Sequence, residues 1–150
     1  MNNSQAFNEL RDWKVVEWRL SRELFGLQDG HFLALDAPKG YLQFAGHADR
    51  RLLGECISPR FKWDGGEAYS TDELDFLEAL GWPPVSLTSG PNYQRWWGTK
   101  SSLSPERARL LNIEDAEAAA ALAVATLIVA LKARLPADLK ITRHKFYEFP

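Results

Sequence analysis

Apolar residues recur every three or four positions along residues 5–25, which predicts a helix with one buried face. That face consists of Ala6, Leu10, Trp13, Val16, Leu20 and Leu24. A second apolar stripe lies almost opposite and consists of Phe7, Val15, Trp18 and Phe25, mixed with Arg11 and Arg22. A helix that is apolar on two sides lies between two layers or presents one side to a partner. Gly26 is expected to end this helix in the left-handed conformation that glycine adopts readily.

The pattern then changes to short runs of aromatic and aliphatic residues, which predict strands over 31–37, 40–47 and 51–58. The first two are close enough to form a hairpin, and an antiparallel meander is the simplest arrangement of all three. Residues 59–70 have the composition of a loop. A final strand is expected at 140–149, and the sequence does not decide whether it joins the sheet.

The segment YSTDELDFLEALGW predicts a second helix, in which Ser70 and Glu73 have the spacing of a capping box. Gly81 stands where a C-terminal cap belongs, and Trp82 is then expected to fold back onto Leu77. We therefore interpret Trp82 as an apolar seal on the end of the helix.

A long helix is predicted over 113–135, with Asn112 as a candidate start. One of its faces carries bulky residues, namely Val124, Leu127, Ile128, Leu131 and Leu135. Another carries small residues, namely Ala119, Ala123, Thr126 and Ala130. Small residues let another backbone approach closely, either within this chain or across a homodimer. A homodimer through this stripe or through the second face of the first helix is therefore one alternative, and burial within one chain is the other.

Composition limits the classes of protein that need to be considered. A chain of 150 residues is expected to form a single domain, residues 1–150. Its net charge of −2 argues against a nucleic-acid partner, because binding to phosphates requires a basic face. The single cysteine, Cys56, cannot form an internal disulfide, which favours a reducing, cytoplasmic location. Residues 1–24 carry charges throughout, so no secretion signal is expected. The uncharged run 118–131 is shorter than the ~20 residues of a membrane span, so no membrane insertion is expected.

The sequence offers little for catalysis, and neither a metal nor a cofactor is expected. The three histidines, His31, His47 and His144, have no spacing typical of metal ligands. No phosphate-binding or dinucleotide-binding glycine motif occurs. A small enzyme that uses Cys56 with a nearby histidine remains an alternative, although a buried structural cysteine is the simpler interpretation.

The distinctive feature is six tryptophans, of which Trp96 follows Arg95 and Trp18 is flanked by Arg11 and Arg22 on the predicted helix. Exposed aromatic residues beside arginine are typical of interaction hot spots. The candidate partner-binding residues are Trp18, Arg22 and Phe25 in the first helix and Arg95, Trp96 and Trp97 in the segment PNYQRWW. Trp96 and Trp97 are adjacent, so in an extended segment one is expected in the core and the other on the surface.

The order GYLQFAGH, LLGECIS, STDELDFLEALGWPP and PNYQRWW, followed by a long C-terminal helix, resembles the YbjN-like peptide-binding chaperones of the actinobacterial TY-Chap type, which are related in fold to type III secretion chaperones. The resemblance covers about residues 28–135. It implies an α+β fold in which an N-terminal helix, a twisted antiparallel sheet and a long C-terminal helix pack together. It also implies a non-enzymatic protein without catalytic residues, which holds a segment of a client protein.

Three functional hypotheses follow from these observations. The first is a chaperone-like cytoplasmic module that binds a protein or peptide client. The second is an immunity or inhibitor protein that binds one specific toxin or enzyme. The third is the small enzyme built around Cys56.

Overall fold

The computed structural model of the protein describes residues 12–47, 51–56, 71–83, 93–98 and 111–145. The elements, in chain order, are α1 (Trp13–Phe25), β1 (His31–Ala37), β2 (Gly40–Gly46), β3 (Leu52–Cys56), α2 (Thr71–Leu80), β4 (Tyr93–Trp97), α3 (Ile113–Val129), a short 3-10 helix (Pro136–Asp138) and β5 (Lys140–Lys145). Our predictions for residues 5–11, for the loop 59–70 and for the Ser70 capping box lie outside the described residues.

The strands form one antiparallel sheet in the order β4-β3-β2-β1-β5. β1 and β2 form the predicted hairpin, in which Ala37 pairs with Gly40 across a two-residue turn. β5 pairs with the outer side of β1, so the last predicted strand does join the sheet. β4 pairs with β3 and was not predicted as a strand, because five residues containing Gln and Arg give no clear alternation. Helices with this antiparallel sheet confirm the predicted α+β fold.

The helices cover one face of the sheet. On that face Leu33, Leu35, Leu42 and Phe44 are fully buried. Their sequence neighbours on the same strands point to the opposite face, because side chains alternate along a strand. α1 packs against α3, which also contacts α2 and β4. Burial of the inner stripe of α1, at Val16, Leu20 and Leu24, was predicted and is confirmed.

α3 begins where the sequence allowed a start. The Asn112 side chain accepts a hydrogen bond from the Asp115 N–H at 2.7 Å, and the Asp115 carboxylate accepts one from the Asn112 N–H at 3.2 Å. This capping box satisfies two N–H groups at the helix start that have no partner within the helix. The prediction that the helix runs to residue 135 is wrong, because α3 ends at Val129 and Lys132 then has a φ of 62°. The small-residue stripe is buried within this chain (Ala119, Ala123, Thr126 and Ala130).

α2 ends as its sequence predicts. Gly81 has a φ of +113°, and its N–H donates to the Glu78 carbonyl at 3.1 Å. The Trp82 N–H donates to the Leu77 carbonyl, also at 3.1 Å. These two bonds form a Schellman motif, in which the residue after the glycine packs against the last turn of the helix. Trp82 and Leu77 are accordingly both buried in the core.

The ends of α1 differ from the prediction in two respects. The helix is not continuous from residue 5, because Asp12 has extended dihedral angles and its carboxylate caps the Lys14 N–H at 2.8 Å. Gly26 does end the helix, but its φ of −91° is not left-handed. The Gly26 N–H instead bonds to the carbonyls of Arg22 and Leu24, a geometry that needs no special freedom at the glycine.

Candidate functional site

The exposed side of α1 is the first candidate surface. Trp18, Phe25 and Val15 are 60%, 50% and 42% exposed, large values for apolar side chains on a helix whose other side is in the core. The Arg22 guanidinium lies 5.2 Å from the centroid of the Trp18 ring, within range of a cation–π contact. We call these four residues, Val15, Trp18, Arg22 and Phe25, the α1 surface.

Two hydrogen bonds support the part of α1 that lies beneath the α1 surface. The Ser21 hydroxyl is 2% exposed and donates to the Trp18 carbonyl at 2.6 Å. The Trp13 indole N–H donates to the Arg134 carbonyl at 3.1 Å, which fixes the start of α1 to the segment that follows α3. The α1 surface is therefore presented on a helix that is anchored along its inner side.

Trp96 and Trp97 point to opposite faces of β4, as their adjacency predicts. Trp97 is 5% exposed and packs in the core, with ring centroids 6.0 Å from Phe44 and 6.4 Å from Trp82. Trp96 is 40% exposed on the face of the sheet that the helices do not cover. Trp97 is thus a core residue, and Trp96 is the exposed member of the pair.

Trp96 is the centre of a second, smaller surface. The His47 ring approaches it edge-on, with 4.7 Å between the centroids, and the Arg51 guanidinium lies 4.2 Å from the Trp96 ring centroid. Next to it on the same face, the Glu55 carboxylate accepts hydrogen bonds from Gln43 at 2.8 Å and Gln94 at 2.7 Å. Trp96 was a sequence-based candidate, but its neighbours in these two groups were not, because they are brought together by strand pairing that the sequence does not show.

The Arg95 side chain makes contacts within the fold. Its Nη1 donates to the Gly81 carbonyl at 3.0 Å, and its guanidinium lies 5.2 Å from the Trp97 ring centroid. The side chain therefore joins β4 to the end of α2. The six sequence-based candidates separate into the α1 surface (Trp18, Arg22 and Phe25), a surface on the other side of the sheet (Trp96), and two residues that hold the fold together (Arg95 and Trp97).

A cleft of about 410 Å³ opens at the C-terminal end of α1. It is lined by Glu23, Gly26, Leu27, Gln28, His31, Phe32, Arg143 and His144. Two of these lining residues, Arg143 and Glu23, are each about one quarter exposed and form a bidentate ion pair. Two of its lining residues, Glu23 and Gly26, lie on either side of Phe25 in the sequence, so the cleft adjoins the α1 surface along the chain. Sequence reasoning missed it, because Glu23 and Arg143 are 120 positions apart.

Cys56 is buried on the core face of β3. Its cross-strand neighbour is Leu42, and His47 lies five residues further along, about 17 Å away at the rise of a strand. Leu35 pairs with Leu42, so Leu35, Leu42 and Cys56 lie side by side across three strands. His31 lies four residues before Leu35, about 13 Å away along β1. The structure therefore brings neither histidine to the thiol. Among the described residues, no three His, Cys, Asp or Glu side chains come together as metal ligands.

The described helices and sheet define a small α+β protein with exposed aromatic side chains on both sides. The chain belongs to the family described as T3SS (YopN, CesT) and YbjN peptide-binding chaperone 3, TY-Chap3, whose model matches residues 8–145. The predicted relationship to YbjN-like and type III secretion chaperones is thereby confirmed, and with it a peptide-binding chaperone role in general terms. No curated protein and no solved structure matches the chain. Within the residues described, no helix has the length and apolar character needed to cross a membrane.

Proposed function

We propose that the protein acts by binding alone and holds a segment of a partner protein against the α1 surface. The observation that carries this proposal is the exposure of Val15, Trp18 and Phe25 on a helix anchored from behind. Three large apolar side chains on one side of a helix are costly to leave in water, and they are typical of a surface that is covered by a partner. Arg22 adds the kind of charged group that is enriched at binding hot spots.

The Trp96 surface is a second candidate for the same task, on the far side of the sheet. β4 and β5 are the edges of the sheet in the described part of the chain, and an extended client could add to either edge as a further strand. We favour the α1 surface because Trp96 already has His47 and Arg51 against its ring, whereas the α1 surface has more exposed apolar area.

The test is a pull-down from a lysate of the native host combined with cross-linking mass spectrometry. Trp18→Ala is compared with Phe76→Ala, a matched control that removes a 51% exposed aromatic side chain from α2 instead. We expect the captured partners to be lost with Trp18→Ala and kept with Phe76→Ala, and the cross-links to lie on α1. Partners that persist with Trp18→Ala but disappear with Trp96→Ala would move the binding site to the other face of the sheet.

The number and affinity of the partners distinguish the remaining hypotheses. Several partners held weakly support a chaperone that recognises segments. One partner held tightly would favour the immunity or inhibitor hypothesis. Catalysis by Cys56 has no support from its position, since the thiol lies in the core away from His31 and His47. A cytoplasmic location also remains part of the proposal and is tested by fractionation of the host cell.

A further inference from the structure

The charges on the exposed side of α1 are all of one sign. Five side chains of this helix are exposed, namely Lys14, Val15, Trp18, Arg22 and Phe25. Two of these are basic, three are apolar and none is acidic. The two acids of α1 lie elsewhere: Glu23 is paired with Arg143, and Glu17 is half-buried and projects about 100° around the helix from Trp18.

The shape of this surface favours a helical occupant over an extended one. The backbone N–H and C=O groups of α1 are used within the helix, so they cannot form a ladder with a strand. The side chains from Val15 to Phe25 follow spacings of three, four and three, which form a ridge about 15 Å long. Such a ridge packs into the groove of a second helix of about three turns.

We propose that the α1 surface binds an acidic amphipathic helix of the client protein. Apolar side chains of that helix cover Trp18 and Phe25, and its carboxylates meet Lys14 and Arg22. These two bases are eight positions apart, or about 12 Å along the axis, so the matching acids on the client lie seven or eight residues apart. This inference rests on the proposed function, because it names the chemistry of the segment that the α1 surface holds.

The test uses synthetic peptides, so that it does not depend on the identity of the client. The probe is a fluorescein-labelled helical peptide of 14 residues, with leucines on one side and two glutamates eight positions apart that flank them. The control peptide replaces both glutamates by lysines. Fluorescence anisotropy should show that the glutamate peptide binds at least about tenfold more tightly, and that raising the salt from about 0.05 M to about 0.5 M reduces this preference.

Charge reversal on the protein locates the site. Lys14→Glu with Arg22→Glu is expected to invert the order of the two peptides. Lys132→Glu with Lys140→Glu changes the net charge equally at exposed positions outside α1 and should leave the order unchanged. Equal binding of both peptides, absence of binding, or the same inversion with the control pair would overturn the inference. The protein could also associate with itself through Lys14 and Arg22, without competition from the peptide. That result would overturn the inference too, because the occupant of the α1 surface would then be a second copy of the chain.

The two proposals fail separately. If Trp18→Ala abolishes client capture but peptide charge has no effect, the α1 surface remains the binding site and only the acidic helix is wrong. If the glutamate peptide binds at α1 while client capture survives Trp18→Ala, the α1 surface recognises acidic helices but does not hold the captured client, so the proposed function is wrong.

Discussion

Gly81→Ala tests the interpretation of the α2 terminus most directly. At a φ of +113° an alanine is strained, which costs about 1–3 kcal/mol. Its Cβ would also lie 2.5 Å from the Nη1 atom of Arg95, closer than a real contact allows. The guanidinium, at the far end of a flexible side chain, must then shift; we expect this to break its bond to the Gly81 carbonyl, and losing a hydrogen bond from a charged donor costs about 1.5–3 kcal/mol. Because Arg95 is half-buried, we take the lower part of the range for the hydrogen bond. Together with the backbone strain, Gly81→Ala is then expected to lower the free energy of unfolding by about 3 kcal/mol.

Gly26→Ala is the matched control, because Gly26 also follows a helix but has a φ of −91°. A Cβ there would meet the Arg22 carbonyl oxygen at 3.7 Å, which is an ordinary contact. Replacing a glycine by alanine where the backbone tolerates it stabilises a protein by about 0.4–1 kcal/mol, because the unfolded chain has fewer conformations. The two substitutions are therefore expected to have opposite signs.

Urea unfolding followed by tryptophan fluorescence measures both variants. A double-mutant cycle with Arg95→Met separates the two causes, since methionine removes the guanidinium that the new Cβ would meet. In the Arg95→Met background Gly81→Ala should cost only the backbone strain, about 1–3 kcal/mol. Equal losses for the two glycine variants would refute the assigned role of the φ angle. Strict additivity in the cycle would refute the role of Arg95.

Three further predictions concern the core and the surface. Thr126→Val removes the acceptor of the Trp82 indole N–H, 2.9 Å away, and should lower the free energy of unfolding in urea by about 1–3 kcal/mol. If this bond is unimportant, adding Trp82→Phe to the Thr126→Val variant should not recover stability. Trp97→Ala is expected to cost about 3–5 kcal/mol and the exposed Trp18→Ala less than about 1 kcal/mol, so similar losses would contradict the separation into core and surface. The Cys56 thiol should react with a maleimide only in denaturant, and rapid labelling of the native protein would revive the enzyme hypothesis.

Local signals in the sequence predicted most of the elements. Two short runs of aromatic and aliphatic residues close together predicted the β1–β2 hairpin, and Gly81 followed by Trp82 predicted the end of α2, because both patterns depend on residues close together in the chain. The same reasoning gave Gly26 the wrong conformation. A glycine after a helix permits a left-handed residue but does not require one, and the local hydrogen bonds at this end are satisfied without it.

The candidate surface was less predictable than the fold. The two-sided pattern of the first helix predicted that Trp18 and Phe25 contact a second layer or a partner; the structure leaves both exposed, and contact with a partner stays a prediction. Adjacency predicted that Trp96 and Trp97 separate, but not which of them is buried. That choice depends on the register of β4 against β3, where Gly54 leaves room for the Trp97 ring. The hydrogen bond of Arg95 was not predicted for a related reason, since its partner Gly81 is 14 positions away.

The position of β5 beside β1 has a consequence for how the chain folds during synthesis. Glu23 and Arg143 meet across 120 positions, so α1 and β1 are made long before their partners α3 and β5. Until then the inner stripe of α1 and the outer edge of β1 have nothing from the described C-terminal region to cover them. Such late, long-range closure predicts slow folding and a nascent chain prone to aggregation. The nascent chain would thus itself be a client for chaperones until its C-terminal region has been synthesised.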